Sequence, residues 1–176
     1  MARQGEAGRG MALLDNLLDR TSGAITTPGP AMRRAIATAH SAAFYAAIKE
    51  RTGVMPKGLS RAERADLKRL VAEQLKYYAK FEEDAKGMSD AAILARAQKY
   101  VGAIRTTFFE AKWGAWDIPP DLMPGRQACQ TNCKCDIDIA DNGDGTGVLT
   151  RTMHAEVHCT ACPGLAGDHP VKRKAA

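Results

Sequence analysis

The stretch CQTNCKCDIDIADNGDGTGVLTRTMHAEVHCTAC, Cys129 to Cys162, decides how the rest of the chain is read. Cys135–Ala140 alternates apolar and polar residues, Asp141–Gly145 is rich in turn formers, and Gly147–Met153 alternates again, which predicts a β-hairpin. All five cysteines flank it, with Cys129, Cys133 and Cys135 before and Cys159 and Cys162 after. A Cys-x3-Cys turn and a Cys-x2-Cys turn can each present two thiolates to one ion, and a hairpin brings the turns together into a tetrahedral site. So small a module needs a staple, and a structural Zn²⁺ supplies on the order of 10 kcal/mol of folding energy. The expected ligands are Cys129, Cys133, Cys159 and Cys162, with Cys135 as a swap for Cys133 and His158 or His154 as weaker substitutes. Disulfides with a leftover thiol, or an iron–sulfur cluster, are the alternative uses of the same cysteines.

Upstream of the cysteines the pattern is helical. Met11 to Arg20 places Met11, Leu14 and Leu18 on one side of a short amphipathic helix. A second helix is expected from about Pro30 to Thr52, with Gly53 as its stop and alanines that allow close packing. Ser60 and Glu63 form a capping box for a third, whose stripe is Leu67, Leu70, Val71, Leu75, Tyr78 and Phe81 and which ends before Gly87. A fourth begins after Ser89 and carries Ile93, Ala97, Val101, Ile104 and Phe108 to about Trp113. Three prolines then make residues 115–128 an extended connector.

The expected fold is therefore mainly α: a helical bundle or hairpin of about three long helices and a short N-terminal one, with a small Cys-stapled β-hairpin module. Its parts are an N-terminal arm (1–27), the bundle (28–114), the Pro-rich connector (115–128), a zinc-ribbon-like hairpin (129–163) and a basic tail (164–176). The bundle is expected to stand without the hairpin. Trp113 and Trp116, with Phe108, Phe109 and Ile118, are the densest aromatic cluster; they either cement the helices to the Cys module or serve a partner. Together with Met11, Leu14 and Leu18 they form the candidate partner-binding surface.

A chain of 176 residues leaves room for one main core and a small appended module, not two large domains. With 45% hydrophobic and 26% charged residues, neither wholesale disorder nor a membrane protein is indicated, and a cytosolic origin is the default. The net charge of +5 is uneven, because residues 121–162 hold six acids against three bases. No dense basic stripe of the kind a polyanion binder carries appears.

Catalytic patterns do not emerge, and a non-enzymatic protein is expected. Asp136, Asp138, Asp141 and Asp144 fail the EF-hand test, since Ala140 and Arg151 would fall on ligand positions one and twelve; they read as solvated turn acids. His40 lies in an Ala-rich helix with no base or nucleophile beside it in the pattern. Pro163 and Gly164 follow Cys162 and break the helix that would activate a Cys-x2-Cys thiol.

The string Gln127–Ala128–Cys129–Gln130–Thr131–Asn132–Cys133–Lys134–Cys135 after the Pro124–Gly125 turn, with His158–Cys159–Thr160–Ala161–Cys162 closing the module, resembles the cysteine-rich endings of minor head and other virion structural proteins of tailed bacteriophages. Ser89–Asp90–Ala91–Ala92 at the start of the preceding helix is similar too, so the likeness covers about residues 85–165. Asp136 stands where such endings often carry an aromatic residue. The helical part is too short for a full portal or capsid protein. The resemblance implies an accessory minor head, capsid or neck component, assembled in the host cytoplasm and located in the virion. Its partners would be capsid, portal or neck subunits, in many symmetric copies. The alternative is a zinc-ribbon adaptor binding DNA or RNA through Lys68, Arg69, Lys76, Lys80 and the Lys172–Arg173–Lys174 tail.

Overall fold

A computed structural model of the chain describes residues 29–126, 135–153 and 162–175, without the side chains at 94, 97–99, 101 and 102. Three long helices come first: α1 Pro30–Thr52, α2 Arg61–Asp84 and α3 Asp90–Lys112. Their ends follow from local chemistry. Gly53 takes the left-handed conformation (φ 75°) and returns its N–H to Lys49 O at 2.8 Å. Ser60 and Glu63 close the capping box, with Glu63 N–H donating to Ser60 Oγ at 3.2 Å and Ser60 N–H donating to Glu63 Oε2 at 2.8 Å. Ser89 Oγ accepts the Ala92 N–H at the start of α3.

The remainder is a sheet of four antiparallel strands rather than a lone hairpin: β1 Trp116–Asp117, β2 Asp136–Asp141, β3 Thr146–Thr152 and β4 Gly167–Arg173, in the order β1-β4-β3-β2. The chain is a mixed α and β fold, which corrects the expected mainly α bundle with a small Cys-stapled β-hairpin. The reason lies in two segments without a strand pattern. Positions 116–117, in the Pro-containing connector, pair with Arg173 and Lys172 of the basic tail, and that tail pairs with β3. Only Val171 of β4 is buried, so no alternation announces the strand.

Pro170 in a central strand costs little because of register. Arg173 N–H donates to Gly145 O at 2.9 Å, so the pairs 147–171 and 149–169 are the hydrogen-bonded ones. Pro170, opposite Val148, then turns its nitrogen away from β3, beyond the end of β1, where no ladder donor is missed.

One face of the sheet carries the rows Asp141–Gly147–Val171, Ile139–Leu149–His169 and Ile137–Arg151–Gly167. Its apolar members pack on the helices in the main core, which joins Phe44 and Ile48 of α1, Phe108 and Phe109 of α3, Trp116, Leu122 and Met123 to Ile137, Ile139, Leu149 and Val171. The sheet and the helices therefore share one core. α1 packs against both α2 and α3, whereas α2 and α3 meet each other little. In keeping with this, Leu67, Val71 and Leu75 of the α2 stripe are only half-buried and Tyr77 is exposed. A second cluster at the other end of the helices gathers Met32, Ile36, Tyr78, Phe81 and Tyr100.

Gly147 has no room for a side chain. A Cβ there would lie 2.8 Å from the Trp116 ring and 2.9 Å from Ala140 O. Replacing Gly147 with Ala should lower stability by about 1–3 kcal/mol, because the ring must shift out of a packed core. Urea unfolding with an unchanged m value checks this.

Candidate functional site

The end of the sheet remote from the β2–β3 turn gathers the chemistry. Asp136 pairs with Thr152, so Cys135 and Met153, the next residues outward, leave the hairpin side by side. Cys162 enters through a short 3-10 turn, Pro163–Leu165, that leads into β4, whose first residue Gly167 lies opposite Arg151. Cys135 and Cys162 thereby join one small cluster with Met153, at 2% and 1% exposure, and neither forms a disulfide. The two candidate ligands within the described residues, one from each cysteine-rich turn, are neighbours. Cys129, Cys133 and Cys159, with His154 and His158, lie outside the described residues, as do Met11, Leu14 and Leu18. Among the described residues no group of three or more potential metal ligands occurs.

Beneath the cysteines lies a residue the sequence reading did not single out. Arg151 is 2% exposed and holds the carbonyls of Asp121 and Leu122 with Nη1 at 2.9 and 3.1 Å, while Nη2 donates to Cys162 Sγ at 3.8 Å. Taking a guanidinium out of water is expensive unless acceptors replace the water. A signal for it exists in the sequence. Gly147, Leu149 and Arg151 share one phase of the β3 alternation, which puts the arginine on the buried face.

The tryptophans are placed differently. Trp116 is buried in the main core with the Arg173 guanidinium 4.9 Å from its ring centre. Trp113 is half-buried; its Nε1 donates to Ile137 O at 3.2 Å, and Lys112 Nζ lies 4.8 Å from its ring. Both join helix to sheet. The Trp113 bond also covers the outer edge of β2. Asn142 N–H donates to Thr146 O, which sets Ile137 in the outward-facing phase, and Ile137 N–H is taken by Asp136 Oδ1 at 2.8 Å.

The turn acids are used locally. Asp141 pairs with Arg173 and accepts the Gly143 N–H, and these contacts, the arginine first, hold its carboxyl below the usual range. Asp144 accepts both the hydroxyl and the N–H of Thr146, with the same effect. A cleft of about 320 Å³ between the helix ends and the connector contains Phe44, Ile48, Leu70 and Trp116. Glu110 there bridges Arg69 and Arg126, and Arg51 pairs with Glu63 at 3.0 Å. Ion pairs thus occupy these polar groups, and no nucleophile and base face each other among the described residues that line it.

No family model, curated protein or solved structure matches this chain. Among the described residues, no helix is long and apolar enough to cross a membrane.

His40 is a fully buried core histidine. Its Nδ1 lies 2.7 Å from Thr107 Oγ1, and among the described residues Nε2 has no hydrogen-bond partner. Burial pulls its imidazole from 6.5 down to about 4. Between those values the unfolded chain binds a proton that the native state refuses, so stability rises with pH. Stability should fall by up to about 3 kcal/mol as pH drops from about 6.5 to 4. Subtracting the curve of His40→Gln, measured by denaturant unfolding across that range, isolates this slope from the carboxylates.

Proposed function

We propose that this chain is an accessory virion structural protein of a tailed bacteriophage, a minor head, capsid or neck component that joins neighbouring subunits and stabilises the particle. The proposal starts from the C-x-T-N-C-K-C and H-C-x-x-C segments. The observation that carries it is the meeting of Cys135 and Cys162, one from each segment, in a sealed cluster at the end of the sheet. A structural Zn²⁺ is the proposed staple there, because buried sulfur donors suit a soft divalent ion. Its role is to cross-link chain segments, with no part in a reaction.

Adhesion needs exposed apolar side chains on a rigid frame. The α1–α2 turn supplies two, Val54 at 69% and Met55 at 52% exposure, and Tyr77 adds a third on α2. The N-terminal stripe of Met11, Leu14 and Leu18 is the other proposed contact. The nucleic-acid alternative is less well supported, since Arg69 pairs with Glu73 and Glu110 and Arg173 with Asp141.

Particles made with Leu14→Asp/Leu18→Asp, or separately with Val54→Ser/Met55→Ser, should lack the protein while the purified variants melt like the wild type, because an unpaired charge or lost apolar area at an interface costs several kcal/mol. Normal incorporation of both variants counts against the assembly reading. Steep salt-sensitive retention on DNA or RNA would favour the adaptor instead.

A further inference from the structure

The sheet leaves one strand edge partly open. Asn142 N–H donates to Thr146 O, so residues 136, 138 and 140 of β2 turn their main-chain groups toward β3, and Ile137, Ile139 and Asp141 turn theirs outward. At Ile137 both outward groups are taken, the N–H by Asp136 Oδ1 at 2.8 Å and the carbonyl by Trp113 Nε1 at 3.2 Å. The cover stops there. Among the described residues nothing takes the outward N–H and C=O of Ile139 or Asp141, and Asp138, Ala140 and Asp141 are exposed. The opposite edge offers no such row, because β1 is two residues long and Pro119 and Pro120 follow it closely.

We propose that this open edge, residues 139–141, accepts an extended basic segment of a partner polypeptide as a fifth strand beside β2. An unpaired row of main-chain donors and acceptors is a template for strand addition, and alternate side chains of the added strand set its specificity. Residues placed opposite Ile139 and Asp141 lie on the helix-facing side, where they lengthen the row Ile139–Leu149–His169. Those placed opposite Asp138 and Ala140 lie on the outer side, which is acidic. The Asp138 side chain is 78% exposed, and Lys112 is held closer by Glu50, at 2.6 Å, than by Asp138, at 3.8 Å. Arg173 is engaged by Asp141, and exposed Asp144 follows in the turn. A segment of alternating basic and apolar residues therefore matches both sides. A second copy of this edge does not, since antiparallel pairing with itself would line Asp136, Asp138, Asp141 and Asp144 of both chains along one seam. The proposal does not rest on the assembly reading.

The probe is the acetylated and amidated peptide Lys-Val-Lys-Val-Lys, added to the full chain. Binding is read from NMR chemical shifts, and strand addition from slowed hydrogen exchange at the Ile139 and Asp141 amides. In antiparallel register the two valines face Asp141 and Ile139, and the lysines fall on the side of Asp138. The same peptide with both valines N-methylated keeps its charge but loses two main-chain donors, so it should bind about 5–100-fold more weakly and protect neither amide. Glu-Val-Glu-Val-Glu should not protect them, because it brings like charges onto the acidic side. Asp138→Asn, a change at an exposed side chain, should weaken the lysine peptide by about 2–5-fold at low salt.

Protection of both amides by the lysine peptide, lost on N-methylation, supports the fifth strand. Equal binding of the two lysine peptides would show attraction by charge alone and overturn it, as would binding that leaves both amides unprotected, or no binding at millimolar peptide. Equal protection by the glutamate peptide would overturn the basic partner. So would protection that rises with the concentration of the chain alone, which would give the edge to a second copy. Incorporation into particles is measured separately, so none of these results is confused with failure of the assembly reading.

Discussion

The ring of Trp116 lies over the backbone of Gly147, in a space that a single Cβ would fill. Much of the architecture depends on that contact. Trp116 is the first residue after the α3 exit to enter the sheet, and its N–H donates back to Trp113 O at 2.9 Å, so the end of α3 and the start of β1 are one rigid corner. The ring then spans to β3, and Arg173 of β4 covers its face. Helix, both outer additions to the hairpin and the hairpin itself therefore meet at one aromatic side chain, consistent with the large buried area that tryptophan contributes.

Around this corner the fold buries or nearly buries polar groups that a simple apolar core would exclude, His40, Lys112 and Arg151 among them. His40 stays neutral and bonds Thr107 across the α1–α3 packing. Lys112 is nearly buried and answers Glu50 at 2.6 Å. Arg151 is held by carbonyls and a sulfur. The first two sit within the helical layer or at its seam. Arg151 alone among them faces the cysteine end of the sheet.

On the outer surface several acids and bases are paired with one another, as in Arg33–Glu82, Arg51–Glu63 and Arg96–Asp84. Exposed ion pairs of this kind contribute little stability. They do keep the faces polar and leave the apolar turn at Val54 and Met55 conspicuous.

Local chemistry alone made the helices legible. Pro30, Gly53, the Ser60–Glu63 box and Ser89 each act within one turn of where they stand, and the Asp141–Gly145 turn with its flanking alternation marked β2 and β3 in the same way. The pairing of Cys135 with Cys162 was legible only as a set of candidates, because spacing shows which thiols can approach and not which do. Tertiary structure decided what has no local signature. Strand β1 is two residues long, and β4 holds a proline and one buried side chain, so both exist because neighbouring strands supply their hydrogen bonds. Which face of α2 stays uncovered, and that Arg151 lies under a sulfur, follow from the packing of the sheet against the helices. Such contacts join residues far apart in the chain, and no periodicity records them.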